Sequence, residues 1–320
     1  MELIWEPITD PVAWAELWAR AEAVDATGEI YTADELAEEL ANPAADPGLR
    51  VGVRSDGVLV GYAAIRVRGE GPTVRIDIEG TVAPDHRGLG IGSQLIDWCM
   101  RRATAEHEAR LADSPVDVFA EGYPDNPAQF QQLAARGFRT RSWEALMTCP
   151  LAAVEPVPFP QLDRFHISTY EADRWDDVRV AHNDAFGTDP RYTRWSATEW
   201  RQWVDETQAA RPALSLVARE KATGKVASYV ISQEYEAMFD TIGRRELYVS
   251  KVGTVPEHRG RGLARVLLSG VVGLAKDHGY DQVALHADTN SSTGAYTLYE
   301  SVGFTVTRRL ERMALTMPAK

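Results

Sequence analysis

Two short glycine-bearing stretches hold the residues best suited to chemistry. Val255-Pro256-Glu257-His258-Arg259-Gly260-Arg261-Gly262-Leu263-Ala264 has an earlier counterpart in Ala83-Pro84-Asp85-His86-Arg87-Gly88-Leu89-Gly90-Ile91-Gly92. In each, a β-rich run (Arg75 to Val82, Glu246 to Val255) ends at a proline, and a turn then opens an amphipathic helix. The first helical N–H groups are left unpaired at the positive end of the helix dipole. Glycine lets a ligand come close to that backbone, so each turn suits a pyrophosphate. The two copies lie 172 residues apart (His86 to His258), and a similar series of elements follows each. A nucleotide-triphosphate loop would end in Gly-Lys-Ser/Thr, which neither copy has. A dinucleotide fingerprint would read Gly-x-Gly-x-x-Gly, and Gly88-x-Gly90-x-Gly92 has a different spacing.

Such turns need a strand before them and a helix after them, and the patterning supplies both twice. Leu3 to Pro7 reads as a strand, and Trp14, Leu17, Trp18 and Ala21 recur at helical spacing. Thr32 with Glu35 matches a capping box at the next helix. Leu49 to Arg54 and Val58 to Val67 form a hairpin across Ser55-Asp56-Gly57, and Thr73 to Val82 leads to the first turn. Ile91, Leu95, Ile96, Trp98 and Cys99 give the following helix one broad apolar side. Val116 to Phe119 is a strand, Asn126 to Arg136 a helix closed by Gly137, and Phe138 to Thr148 a last strand.

From Phe165 the plan repeats. A strand over 165–170 precedes helices over 172–186 and 196–207, then a hairpin over 214–219 and 226–233. Strand 246–255, the second turn, helix 263–278, strand 282–287, helix 292–301 and strand 304–315 complete it. Between the halves, Pro150, Pro156, Pro158 and Pro160 stand in a run without periodicity, which reads as a stiff linker. The expected division is a first domain over 1–149, a linker over 150–163 and a second domain over 164–320. The expected fold class is α/β, as two copies of a mixed, mainly antiparallel sheet flanked by helices.

At 320 residues, two domains of about 150 residues are the natural arrangement. Apolar content of 44% with 25% charged residues describes an ordinary soluble globular chain. No apolar run reaches the ~18 residues that span a bilayer. Met1 to Glu6 lacks the regions of a signal peptide, so a cytoplasmic location is expected, with no membrane partner. Cys99 and Cys149 lack metal-ligand spacing and read as inert buried thiols. No two histidines share metal-ligand spacing on one element, so no metal is expected. The net charge of −13 disfavours nucleic acid as a partner.

The pattern Arg-x-x-Gly-x-Gly/Ala resembles the acyl-CoA pyrophosphate loop of the GCN5-related N-acetyltransferases (GNAT). Arg87, Gly90 and Gly92 fill it in the first half, and Arg259, Gly262 and Ala264 in the second. The resemblance covers essentially the whole chain and is best over Glu246 to Phe304. It implies two tandem GNAT domains, acetyl-CoA as co-substrate, and strands four and five of each domain splayed apart, exposing backbone that the pantetheine arm can pair with. The contacts it implies are Val252, Gly253, Thr254 and Val255 on the strand, and Arg259, Gly260, Arg261, Gly262, Leu263 and Ala264 in the loop. Asn290 and Ser292 add to them after the next strand. Val82, Arg87, Gly88, Gly90 and Gly92 are the counterparts in the first half.

The family carries a signature resembling Asn-x-x-Ala-x-x-Leu-Tyr-Glu-x-x-Gly-Phe, whose tyrosine protonates the leaving thiolate. Ala295-Tyr296-Thr297-Leu298-Tyr299-Glu300-Ser301-Val302-Gly303-Phe304 sets Tyr299 at that position. Ser292 stands where the family has Asn, with Asn290 displaced by two residues. A core aromatic is the other reading of Tyr299. Aligning Gly137-Phe138 with Gly303-Phe304 puts Leu133 opposite Tyr299, and leucine donates no proton. The first half is therefore expected to be catalytically degenerate and the second to hold the working site.

The resemblance is closest to the tandem acetyltransferases that include mycothiol synthase, which place a glutamate at the start of strand four. Glu246 stands there and is the candidate general base. It needs a raised pKa or a bridging water to take an ammonium proton near neutral pH. A solvated charge beside Arg244 and Arg245 is the alternative. The oxyanion is expected to meet backbone N–H groups near Val252 to Val255. Asn183, Asp184, Phe186, Trp195, Glu234, Tyr235 and Asp240 lie where an acceptor would bind, and carboxylates with aromatics suit an amine or aminosugar. The leading function is an acetyl-CoA-dependent N-acetyltransferase acting by direct transfer on a small-molecule amine, as a monomer or homodimer. A non-catalytic acyl-CoA-responsive binding protein and a protein-lysine acetyltransferase stay open beside it.

Overall fold

The structure is a computed structural model. It describes residues 2–27, 30–41, 46–68, 74–110, 112–123, 126–155, 162–188, 192–235, 239, 243–288 and 294–320. Asn290 and Ser292, Asp240, and residues 156–161 of the expected linker lie outside them. The chain forms two compact units, Met1–Ser142 with Leu310–Lys320, and Trp143–Arg309.

In unit 1 the strand order is β1 (Leu3–Glu6), β2 (Arg50–Ser55), β3 (Val58–Arg68), β4 (Arg75–Val82), β5 (Val116–Gly122) and β12 (Thr305–Met317). Only β4 and β5 run parallel, because a helix crosses over between them. That helix is α3 (Ile91–Arg110); α1 (Pro11–Asp25), α2 (Ala33–Ala41) and α4 (Pro127–Ala135) complete the unit. Asp10 starts α1 by accepting from the N–H groups of Val12 and Ala13 at 3.0 and 3.1 Å, with Pro11 in the first turn. The apolar stripe of α1 then buries Trp14 and Leu17 in one core with Val60 and Tyr62 of β3 and Ile91, Leu95 and Cys99 of α3.

Unit 2 repeats the layout. Its order is β6 (Arg139–Pro150), β11 (Gln282–Asp288), β10 (Glu246–Thr254), β9 (Val226–Gln233), β8 (Leu216–Glu220) and β7 (Phe165–Thr169). The parallel pair is β10 with β11, joined through α7 (Leu263–Asp277). On one face, Leu267, Leu268, Val271 and Val272 of α7 pack on Leu247 and Val249. On the other, Val178 and Ala181 of α5 (Trp175–Phe186) pack with Trp200, Tyr229 and Ile231. The helix expected over 196–207 is a single turn, α6 (Ala197–Trp200), that widens over Arg201–Asp205. A full capping box between Ser196 and Glu199 fixes its start. The short α8 (Ala295–Glu300) precedes β12.

The units differ from the expected division in one respect: they exchange their closing strands. β6 follows α4 in sequence, yet its residues Glu144 to Pro150 pair antiparallel with β11 of unit 2. β12 follows α8, yet its residues Glu311 to Met317 pair antiparallel with β5 of unit 1. Alternation marks both segments as strands but does not name their partners.

Both thiols are buried and burial raises their pKa, as inert cysteines require. No helix among the described residues is long and apolar enough to cross a membrane. Nor does any group of three His, Cys, Asp or Glu among them suit a metal ion.

Candidate active site

Each parallel pair comes apart part-way. β10 pairs with β11 only from Glu246–Gln282 to Val249–Leu285, although the strands run on to Thr254 and Asp288. β4 and β5 likewise pair only from Arg75–Asp117 to Ile78–Ala120. The splay implied by the family resemblance is present in both units. In β10 it begins at a bulge between Val249 and Lys251, where Ser250 is the extra residue against β9.

Beyond the bulge, Val255 donates its N–H to Ala227 at 3.0 Å, so that N–H is not available to a ligand. Ladder alternation then turns Gly253 toward β9. The backbone of Val252 and the N–H of Thr254 turn the other way, toward the edge β11 has left. The Thr254 side chain bonds Ser228 at 2.9 Å, and Ser228 also donates to the Gly253 carbonyl at 2.8 Å.

The second glycine turn follows directly. Gly260 and Gly262 have φ of +72° and +75°, and a Cβ on either would meet nothing within 4 Å. The space is open, and only the left-handed backbone asks for glycine. No side chain caps α7, and its first bond runs from Val266 N–H to the Gly262 carbonyl at 3.0 Å. The N–H groups of Leu263 and Ala264 therefore lie ahead of the first helical bond. Arg259 ties the turn down: it donates to the Thr254 carbonyl at 3.4 Å and to the Ala185 carbonyl at the end of α5. Arg87 does the same in unit 1, with Nε to Val82 at 3.0 Å and a bidentate pair to Asp25 at 2.7 and 2.6 Å. These arginines brace the loop in both units.

Glu246 and Tyr299 lie on opposite faces of the sheet, Glu246 at the paired start of β10 and four residues before the bulge. Tyr299 is buried in the core cluster that holds Leu247, Val249 and Val252, with its ring 6.3 Å from that of Phe304. Burial pushes its hydroxyl up to about 12. Glu246 alternates with Leu247 and so projects to the other face. Gln282 donates to it at 2.6 Å, but burial outweighs that bond and raises its pKa. It is a half-buried carboxylate, not a solvated one.

The family's sequence model, described as the acetyltransferase (GNAT) family, matches residues 12–118 and 175–304. The chain belongs to the GNAT acetyltransferase family. A mycothiol acetyltransferase from Tsukamurella paurometabola is 28% identical over 314 residues, 95% of each chain. Another from Kineococcus radiotolerans is 33% identical over 258 residues, 78% of this chain and 75% of its own. A GNAT structure from Sphaerobacter thermophilus shares 26% identity with a TM-score of 0.74, covering 99% of this chain and 96% of its own. A tandem GNAT protein from the clavulanic acid biosynthesis pathway has a TM-score of 0.72 at 20% identity, covering 100% and 99%, a likeness of fold. This GNAT chain is thus a tandem protein and an N-acetyltransferase.

Its two GNAT units are not equal. Arg75 opens the parallel pair in unit 1 where Glu246 opens it in unit 2. Leu133, fully buried, stands where Tyr299 stands. β4 follows β3 from Gly61–Val82 to Arg68–Arg75 without a bulge. Asp77, in the place of Tyr248, is enclosed by Arg68 at 2.8 Å, Arg75 at 3.3 Å and Arg312 at 3.4 Å. Burial opposes its charge, yet those guanidinium groups hold its carboxyl below the usual range.

Several residues expected near the acceptor are spent on structure. Glu234 takes Arg211 and Arg245, each at 2.7 Å, and the Tyr280 hydroxyl at 2.6 Å. Asn183 is buried and holds the 192–195 segment through Tyr192 and Trp195. His258 packs edge-on against Phe165, and His86 pairs with Asp85. Sequence reading missed Lys251, whose ammonium lies 3.9 Å from the Trp195 ring centre. Tyr248, which with Leu247 and Val249 matches the family's strand-four pattern after Glu246, brings its hydroxyl to His286 at 3.0 Å and its ring beside Tyr235. Neither contact has a local sequence signal, because each partner comes from a distant element.

Proposed function

We propose that the protein transfers acetyl from acetyl-CoA directly to the amine of a small molecule, in unit 2. The observation that carries this reading is the splay of β10 from β11 beyond Val249, leading into the glycine turn, with Glu246 at the start of β10 on one sheet face and Tyr299 packed on the other, each with a raised pKa. The turn from Arg259 to Ala264 would hold the pyrophosphate through backbone N–H groups, and Val252 and Thr254 would pair with the pantetheine arm. Glu246 takes one proton from the ammonium, directly or through a water. The freed nitrogen lone pair attacks the thioester carbonyl and forms the C–N bond. Backbone N–H groups at the bulge stabilise the oxyanion as it develops. The oxyanion then collapses and the C–S bond breaks; the Tyr299 hydroxyl protonates the departing thiolate, and the surplus proton on the new amide nitrogen passes to the tyrosinate and restores the phenol. A raised pKa suits both groups: the carboxylate becomes basic enough to accept, and the phenol keeps its proton to give.

The acceptor side of the sheet carries Glu246, Tyr248 and His286, which fits a polar amine of modest size. The names of the relatives make a mycothiol-type amine the first acceptor to test, ahead of lysine peptides. Unit 1 keeps the glycine turn without a base or acid, and we read it as a non-catalytic acyl-CoA site or a structural remnant. The test is CoA release from acetyl-CoA with mycothiol-type amines, aminosugars and lysine peptides, beside Tyr299→Phe. Turnover that survives Tyr299→Phe unchanged would end this assignment of the site.

A further inference from the structure

His182 and Tyr229 form a buried pair that the reaction above does not use. His182 Nδ1 lies 2.6 Å from the Tyr229 hydroxyl, and both residues are buried. The imidazole is enclosed by the rings of Phe186, Trp200 and Tyr229 with centres 4.9, 5.3 and 5.7 Å away. Burial, with the Lys251 charge nearby, keeps it neutral. The hydroxyl end of Tyr229 in turn lies against Gly253, so closely that a Cβ there would overlap the phenol. Gly253 sits in the open segment of β10, between Val252 and Thr254. The same segment of β10 borders the cluster of Tyr299 through Val252.

Unit 1 serves as an internal control. Ladder register makes Tyr62 the counterpart of Tyr229 and Thr81 the counterpart of Gly253. Tyr62 faces Trp14 and Trp18, with ring centres at 5.3 and 5.5 Å, where Tyr229 faces His182. A threonine at 81 also denies the tyrosine a bare backbone to lie on. The fold is therefore satisfied without the histidine and the glycine. Both occur in the unit that also has the bulge, Glu246 and Tyr299.

We infer that Tyr229, clamped by His182 and laid against Gly253, is a positioning residue for acyl transfer. It holds the open segment of β10 in place from beneath, so that the thioester and Tyr299 stay aligned. If Nδ1 carries the imidazole proton, it donates to the phenol oxygen and frees the Tyr229 O–H to donate onward. The inference rests on unit 2 being the working site.

The experiment compares wild type with Tyr229→Phe, His182→Gln, His182→Leu and Tyr299→Phe. Acceptors are glucosamine, spermidine, a mycothiol-type amine and a lysine peptide, with CoA release followed by chromatography. Tyr229→Phe and His182→Leu are expected to lower kcat at least about 10-fold at an unchanged KM for acetyl-CoA. His182→Gln, which can still bond the phenol, should keep most of the activity. Wild-type kcat in Tyr229→Phe, or an equal fall in His182→Gln and His182→Leu, would overturn the inference. Full activity in Tyr299→Phe would instead overturn the assignment of the site. A second measurement needs no acceptor: in ¹⁵N-histidine-labelled full-length protein, acetyl-CoA should shift the His182 Nδ1 resonance. Tyr229→Phe should abolish that shift, and a wild-type resonance indifferent to bound acetyl-CoA also counts against the role.

Discussion

Arg75 and Glu246 occupy the same place in two half-sheets, each the first residue of a parallel strand pair that later splays. One is a permanent cation and the other a carboxylate whose pKa burial has raised. A guanidinium accepts no proton from an ammonium, so Arg75 cannot take the role proposed for Glu246. Leu133 likewise cannot take the role proposed for Tyr299.

Tyr299→Phe should lower kcat by about 100-fold or more while acetyl-CoA still binds, since only the proton donor is lost. Leu133→Ala at the matching place should cost about 2–5 kcal/mol of stability through a core cavity and leave kcat per folded molecule intact. Steady-state kinetics and thermal melts on the two variants check the pair.

Glu246→Gln should abolish the rise of kcat with pH and yet stabilise the fold. A carboxyl whose folded pKa is raised binds its proton more tightly when folded. Its ionised form therefore disfavours folding once pH exceeds the folded value, and not below the unfolded one. Melting temperature for Glu246→Gln should exceed wild type at pH 8 and converge with it at pH 4. A lower melting temperature at pH 8 would contradict the burial argument.

Gly262→Val should remove acetyl-CoA binding at unit 2. Valine at φ +75° is strained by roughly 1–2 kcal/mol and puts a branched side chain over the N–H groups. Calorimetric titration with CoA checks it, and Gly90→Val made alone reports whether unit 1 contributes a second site.

Glu234→Gln should destabilise the protein by about 2 kcal/mol, because it strips charge-assisted bonds from Arg211 and Arg245. Burial opposes the wild-type charge, but those arginines and Tyr280 hold the carboxyl down to about 2. With a depressed folded pKa, the stabilisation is complete above the ordinary value near 4.5 and fades as pH falls toward about 2. Urea melts at pH 7 and pH 3 should show the gap shrinking. Catalysis should change little.

The turns at Arg87 and Arg259 were legible because proline and glycine act locally, and the duplication made them conspicuous. Tyr299 and Leu133 could be compared because a Gly-Phe pair follows each at the same distance. The bulge at Ser250 could not be read, since an extra residue shifts alternation without leaving a residue type behind. Glu234 and Asn183 looked like surface candidates because their partners, Arg245 and Trp195 among them, come from other elements. His182 and Tyr229 are separated by 47 residues, a distance over which patterning carries no information. The splay came from family resemblance alone, and the register then showed where it begins.

The exchange of closing strands makes each unit hostage to the other's sequence. Unit 1 contains everything its sheet needs by Gly122 except a seam on β5, and that seam is filled by Glu311 to Met317. Glu311 comes 189 residues after Gly122 in the chain. Until that distant segment arrives, unit 1 presents an exposed strand edge, and a cut in the proline-rich connection would yield two fragments that each carry the other's missing piece.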